Sequence, residues 1–176
     1  METSRDSRAM PAAGTPGTAA SDVSSGAAAS PAIPIRFSHV AFTVARESLS
    51  GDKLKRVIRF FSEVFGFIER PQYTKDGEML VMMAGAVDQF VVLFGHDRPA
   101  TANPERDHFG INVDSLAELL ELLARSKAFA ATNPDVEITD YAVTEPRLDV
   151  LPHKLHRFYV RFVTPCPLEV QYYERI

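Results

Sequence analysis

Three short segments of the chain alternate apolar residues with polar or small ones, and they constrain the fold more than any other feature. The segments are FSHVAFTV (37–44), RDHFGINV (106–113) and PLEVQYYE (167–174). Successive side chains of a β-strand point to opposite faces, so each segment predicts a strand with one apolar and one polar or small face. Together they predict a sheet with an apolar back and a sparse, polar front.

A residue that can bind a metal lies near the start of each predicted strand. His39, His108 and Glu169 all fall on the polar or small faces. Two imidazoles and one carboxylate on a common open face are the ligand types of a facial-triad metal site. A single histidine in a strand is more often structural, so the prediction depends on all three residues sharing that face. In the alternative interpretation they line a pocket that binds no metal.

The predicted elements occur twice in the same order: one strand, one helix and three further strands. In the first copy we expect a strand at 36–44, a helix from about Lys53 to Phe65, and strands near 66–70, 78–84 and 89–95. In the second copy we expect a strand at 107–113, a helix that starts with a capping box at Ser115 and Glu118, and strands near 135–143, 157–163 and 168–174. The repeat lies in this order of elements.

Composition separates a tail from the folded part of the chain. Residues 1–34 are rich in Ala, Ser, Gly, Thr and Pro and contain no aromatic residue, which is typical of a disordered segment. We expect one folded domain over 35–176, with module one at about 35–96 and module two at about 106–176. The tail lacks the apolar stretch of a secretory signal, so we expect a cytoplasmic protein.

Charge and cysteine content exclude several classes of partner. The formal net charge is −4 and there is no basic run, which argues against nucleic acid as a partner. No uninterrupted apolar run has the length of a membrane span, so no membrane partner is expected. The single cysteine, Cys166, rules out an internal disulfide.

Four stretches of the sequence resemble the vicinal oxygen chelate superfamily, which includes glyoxalase I, fosfomycin-resistance enzymes, extradiol dioxygenases and bleomycin-resistance proteins. They are HVAFTV, FFSEVFGF, DHFGINV and FYVRFVTPCPLEV, and the resemblance covers about 35–174. It implies an α+β fold in which paired βαβββ modules form a curled mixed sheet around a central cup, with helices on the outside. It also makes a homodimer a reasonable expectation, because many relatives exchange modules between subunits.

The resemblance assigns roles to the three metal-type residues. His39 corresponds to the first-strand ligand, His108 to the opening ligand of the second module, and Glu169 to the closing glutamate. The implied cofactor is a divalent metal ion; Fe(II) or Mn(II) is favoured for two histidines and a carboxylate, with Zn(II) or Ni(II) as alternatives. Glyoxalase I uses a fourth, acidic ligand where this chain has only Gln89, which weakens that assignment. Fosfomycin enzymes carry a threonine where this chain has Ala41.

A second cluster of candidate residues lies on the strand before the one that carries Glu169. Arg157, Tyr159 and Arg161 alternate with apolar residues and so share one face. We predict Tyr159, His156 and Arg161 as catalytic residues, because a guanidinium suits an anionic substrate and a histidine can act as general acid or base. In the alternative, this is a solvated edge strand with incidental charges.

The sequence favours a metal-dependent enzyme that acts on a small oxygenated organic molecule. Dioxygenase-type chemistry is slightly preferred, because three protein ligands leave open positions on the metal and because His153 or His156, Tyr159 and the TPCP turn partly match the dioxygenase pattern. The alternative is a non-enzymatic protein of the same fold that binds small molecules or confers antibiotic resistance by sequestering a drug. A thiol or phosphonate transferase of the antibiotic-inactivating kind is a weaker, third hypothesis.

Overall fold

The computed structural model describes residues 37–99, 106–145 and 152–176. The predicted tail, 1–34, lies outside the described residues. Elements are numbered below in chain order, and the two modules predicted from the sequence are taken in turn.

The first module forms a four-stranded mixed sheet with one helix. Its elements are β1 (His39–Ala45), α1 (Gly51–Arg59), β2 (Ile68–Glu69), β3 (Met79–Met83) and β4 (Phe90–His96). The strand order is β1-β4-β3-β2, with β1 parallel to β4 and the other neighbours antiparallel. A 3₁₀ turn, Arg46–Leu49, precedes α1, and a π-helical turn, Phe60–Val64, extends it. The helix therefore begins at Gly51 rather than at Lys53, and its last predicted turns are π-helical.

The second module forms a five-stranded mixed sheet with one helix. Its elements are β5 (Phe109–Asn112), α2 (Leu116–Ala130), β6 (Glu137–Ile138), β7 (Ala142–Thr144), β8 (His153–Arg161) and β9 (Leu168–Arg175). The order is β5-β9-β8-β6, β7 also pairs with β8, and β5 runs parallel to β9. The single strand predicted at 135–143 is thus two short ones, and β8 begins at His153 rather than at 157.

A side-chain cap starts α2, as the sequence predicted. The Ser115 hydroxyl accepts a hydrogen bond from the Glu118 amide at 3.2 Å. The Glu118 carboxylate reaches back to the amide of Asp114 at 3.0 Å. The first contact satisfies an amide that the helix start leaves without an intrahelical partner, and the second ties the residue before the cap to the first turn, so together they fix where α2 begins.

One hydrophobic cluster joins both helices to one face of each sheet. Phe60 and Phe61 in the π-helical turn are fully buried, and the Phe60 ring contacts Phe129 of α2 and Phe162 just after β8. The inner faces of the strands add the remaining apolar side chains, among them Val44, Leu93, Phe158 and Val170. Because the helices cover only one face of each sheet, the other face stays open.

The predicted α+β fold class is confirmed, but the prediction that the three ligand strands share one sheet is wrong. β1, which carries His39, belongs to the first sheet, whereas β5 and β9 belong to the second. The physical reason is that each module completes its own sheet, through the parallel pairs β1–β4 and β5–β9. In the part of the chain that the structure describes, no helix is both long enough and apolar enough to cross a membrane.

Candidate functional site

The side chain of Glu169 is the centre of a polar cluster on the open face of the second sheet. Glu169 is only 5% exposed. The His108 Nε2 lies 3.0 Å from Oε2, and the Tyr159 hydroxyl donates to Oε1 at 2.8 Å. The Arg157 Nε lies 3.7 Å from Oε1. We call Glu169, His108, Tyr159 and Arg157 the Glu169 cluster.

Strand register brings these side chains together. β9 lies between β5 and β8, with Glu169 opposite Gly110 on one side and Tyr159 on the other. His108 directly precedes β5 and lies two residues before Gly110, so it reaches the same face. A Cβ at Gly110 would lie 3.2 Å from the side-chain amide nitrogen of Gln171 and 4.0 Å from the Glu169 carboxylate. The small residue at position 110 therefore leaves room beside the carboxylate.

The hydrogen bonds of His108 make it a suitable metal ligand. Its Nδ1 lies 2.8 Å from the carbonyl oxygen of Arg106, an acceptor, so Nδ1 carries a proton. In the neutral ring Nε2 is then a lone-pair atom, and it faces a carboxylate oxygen that is also an acceptor. Two acceptors at 3.0 Å need a cation between them or a proton on Nε2. A backbone carbonyl that holds the second ring nitrogen is the usual support of a metal-binding histidine.

Tyr159 is held as a hydrogen-bond donor. Burial, followed by the hydrogen bond to Glu169 and the charge of that carboxylate, raises the pKa of the Tyr159 hydroxyl above its ordinary value. The Tyr159 amide donates to the Thr139 hydroxyl at 2.9 Å, which joins the loop after β6 to β8. The hydroxyl of Tyr159 therefore stays protonated at neutral pH and faces the carboxylate.

The Glu169 cluster opens into a cavity of about 750 Å³. Arg157 and Arg161 line it together with His108 and Tyr159. The Arg161 guanidinium forms an ion pair with Glu137 at 2.5 Å, and Arg161 lines the cavity in this paired state. Arg157 is the arginine nearer to Glu169, although the sequence favoured Arg161. Its place on the shared face with Tyr159 was the signal that could have identified it.

His39 lies apart from the Glu169 cluster. It starts β1 on the first sheet, is exposed, and stacks on Phe90 with ring centroids 4.9 Å apart. Its Nδ1 lies 3.0 Å from the Ser38 hydroxyl. It lines a different cavity, of about 700 Å³. Within the described ranges, no group of three or more His, Cys, Asp and Glu side chains is close enough to hold a metal ion. A single chain therefore brings together two of the three predicted ligands.

His156 lies on the opposite face of β8 from the Glu169 cluster, and its catalytic role stays a prediction. It is an even-numbered residue of β8 and shares the inner face with Phe158, whereas Tyr159 and Arg157 lie on the open face. The residue is 5% exposed. The Tyr141 hydroxyl contacts its Nδ1 at 2.5 Å, and its Nε2 lies 2.9 Å from Glu174. A strand cannot present neighbouring residues to one face, so His156 does not reach the cavity beside Tyr159.

Comparisons with known proteins place the fold. No protein-family model matches the chain. No curated protein matches it either. Among solved structures, a lactoylglutathione lyase from Agrobacterium tumefaciens is 19% identical, with a TM-score of 0.50 over 79% of this chain and 94% of that one. A glyoxalase/bleomycin resistance protein/dioxygenase from Alicyclobacillus acidocaldarius is 16% identical, with a TM-score of 0.51 over 77% and 89%.

A third similar structure contains a metal. It is a mutant of the fosfomycin resistance protein FosX from Listeria monocytogenes, complexed with Mn(II) and 1S,2S-dihydroxypropylphosphonic acid. It is 17% identical, with a TM-score of 0.50 over 78% of this chain and 90% of that one. At this level of identity the likeness concerns the fold. The chain has the vicinal oxygen chelate fold, as the sequence motifs predicted.

Proposed function

We propose that this protein is a metal-dependent enzyme that acts on a small, oxygenated, anionic organic molecule. We further propose that each metal ion is bound by His108 and Glu169 of one copy and by His39 of a second copy. The observation that carries the proposal is the approach of His108 Nε2 to the buried carboxylate of Glu169 at 3.0 Å. A carboxylate that loses its hydration needs a compensating charge, and a divalent cation supplies one.

The donor set suits a divalent transition metal. Imidazole nitrogen and carboxylate oxygen together favour Fe(II) or Mn(II), with Zn(II) or Ni(II) as less favoured ions. When bound, such an ion acts as a Lewis acid towards substrate oxygens and offers open positions that also suit dioxygen. The Mn(II) complex of the FosX variant, a protein of the same fold, agrees with this choice of ion.

A second copy can supply the missing ligand because both ligand-bearing edges lack a partner. Among the described strands, β1 pairs with β4 alone and β5 with β9 alone. Edge strands of this kind present backbone groups that can pair with another chain. In a two-fold dimer each copy gives its His39 to its partner and receives one in return, which yields two equivalent sites. The homodimer expected from the family resemblance fits this arrangement.

The remaining cavity residues have separate roles. Tyr159 donates its one hydroxyl proton to Glu169 and so orients that carboxylate. Arg157 and Arg161 give the cavity a positive wall that attracts an anion such as a carboxylate or enolate. Dioxygen activation remains our favoured reaction class, with Lewis-acid stabilisation of an enolate as the alternative within the same site. Oxygen uptake on turnover distinguishes the two.

Metal content tests the proposal. Protein purified without chelator and without a metal-affinity step should contain about one divalent ion per chain, measured by mass spectrometry of the metals. H108A and E169Q should each weaken Mn(II) binding by more than about 100-fold in a titration followed by electron paramagnetic resonance. H96A, at an exposed histidine outside the Glu169 cluster, is the matched control and should bind as the wild type does.

The competing hypothesis gives a different result. If the protein sequesters a drug without enzymatic activity, the purified chain contains no stoichiometric metal and still binds aromatic compounds. That outcome, with H108A equal to the wild type in ligand binding, would overturn the proposal.

A further inference from the structure

The open face of the first sheet is apolar. Alternate residues of β3 and β4 point away from the helices; they are Met79, Val81, Met83, Phe90, Val92 and Phe94. The residues between them, such as Leu80 and Leu93, are fully buried in the core. No described helix covers this face; Phe94 is 45% exposed, Met79, Met83 and Phe90 are half-buried, and Val81 and Val92 are buried. This open face lines a cavity of about 570 Å³. A contiguous apolar surface of this kind is typical of a binding site.

His39 connects this face to the proposed metal site. β1 is the neighbour of β4, with His39 opposite Phe90 and Ala41 opposite Val92. Paired residues of neighbouring strands lie on one face of a sheet, so His39 shares its face with Phe90 and Val92. The stacked rings of His39 and Phe90 agree with this. A copy that brings His39 to the Glu169 cluster of its partner therefore also brings the apolar face.

The completed cavity then has two chemically different walls. The second sheet supplies a charged wall with Arg157, Arg161 and Tyr159. The first sheet supplies a wall of methionine, valine and phenylalanine side chains. A wholly polar substrate would leave the second of these walls without a partner, and a neutral hydrocarbon would leave the arginines without one.

We infer that the substrate is an amphipathic anion, with an oxygenated, anionic head at the metal and an alkyl or aryl body against the apolar face. This inference rests on the proposed function, because His39 of a second copy places the apolar face opposite the Glu169 cluster. The head has the chemistry of a 2-oxo or 2-hydroxy carboxylate, which offers neighbouring oxygens to a metal and a negative charge to arginine. The body is large enough to cover several of the apolar side chains.

A homologous series of 2-oxo acids tests the inference. The affinity of the Mn(II)-loaded protein for pyruvate, 2-oxobutanoate, 2-oxohexanoate, 2-oxo-octanoate and phenylpyruvate is measured by calorimetry. Each methylene buried against the apolar face should raise the affinity by about fourfold. The double variant V92T/F94Q should weaken 2-oxo-octanoate binding by at least about tenfold while Mn(II) binding is unchanged.

The controls separate this inference from the proposed function. L120Q changes another exposed apolar residue, on α2, and should leave the dependence on chain length unchanged. If Mn(II) binds but affinity does not vary along the series, the apolar face is covered by something else, such as the second copy, and the inference fails while the metal enzyme stands. If Mn(II) does not bind, the proposed function fails. Circular dichroism of V92T/F94Q checks that the variant is folded.

Discussion

Glu169 shows how a single buried carboxylate can organise a site. Its two oxygens face different partners, a histidine on one side and a tyrosine hydroxyl on the other, with an arginine nearby. Burying such a group costs several kcal/mol unless hydrogen bonds and opposite charge compensate it. The cluster supplies the hydrogen bond of Tyr159 and, at 3.7 Å, part of the opposite charge through Arg157, and the proposed metal ion would supply the rest.

Glu174 gives the clearest pH dependence at the residue scale. The hydrogen bond to His156 lowers the pKa of the Glu174 carboxyl below its ordinary value. A carboxyl with a depressed pKa in the folded state contributes stability that is present above its unfolded pKa, about 4.3, and is lost as pH falls through the folded pKa. The wild type should therefore be more stable than E174Q at pH 6, and the difference should shrink from about pH 4.3 downwards.

Urea unfolding at several pH values between 6 and 3 measures that difference. E145Q, a change at an exposed carboxylate outside the His156–Glu174 contact, is the control and should show no comparable trend. A difference between the wild type and E174Q that grows on acidification would contradict the assignment of the His156–Glu174 contact.

The alternation of side chains along a strand predicted which residues of β8 share a face. The two-residue alternation of strand side chains places Arg157, Tyr159 and Arg161 on one face, and the structure agrees. His156 was grouped with them because it is close in sequence, although the same period puts it on the opposite face. Its partners, Tyr141 and Glu174, come from distant positions, so nothing local indicated where this histidine would be buried.

At the scale of elements, the start of α2 was the most predictable feature of the second module. A serine three residues before a glutamate predicted the cap, and the Ser115 hydroxyl accepts from the Glu118 amide. S115A should lower the free energy of unfolding by about 1 kcal/mol, because that amide loses its partner. S115D keeps an acceptor at the same position and should stay close to the wild type. Chemical denaturation of the three proteins checks this, and equal losses for both variants would contradict it.

The boundaries of strands were harder to predict than their existence. The region 135–143 reads as one weak strand, yet it forms β6 and β7, which both pair with β8. β8 itself begins at His153, and its N-terminal end is paired with the far end of β9 at Arg175. Such boundaries follow from pairing with distant strands, which the local pattern of side chains does not encode.

At the scale of the whole molecule, the order of elements predicted the fold correctly but not the grouping of strands into sheets. The α+β class, the βαβββ order of the first module and, apart from one strand that is divided in two, the same order in the second were readable because periodicity and turn residues are local signals. Whether β1 joins β5 depends on contacts between the modules, or between copies, that lie far apart in sequence. The expectation of one common ligand face in a single chain was wrong for this reason.

Because His39 lies apart from the Glu169 cluster, we propose a metal site shared between two copies. Neither H39A nor H108A alone can form an intact site in a homodimer, and each should retain less than about a tenth of the wild-type metal. In a mixed dimer, the H108A copy still offers His39, and the H39A copy still offers His108 and Glu169. One of the two sites is then complete.

Metal content of that mixed dimer is the decisive measurement. The two variants are coexpressed with different affinity tags that bind no metal, and the dimer that carries both tags is isolated. We predict about one Mn(II) per mixed dimer after reconstitution, half of the wild-type value. A mixed dimer with no more metal than either parent variant would contradict a site shared between copies.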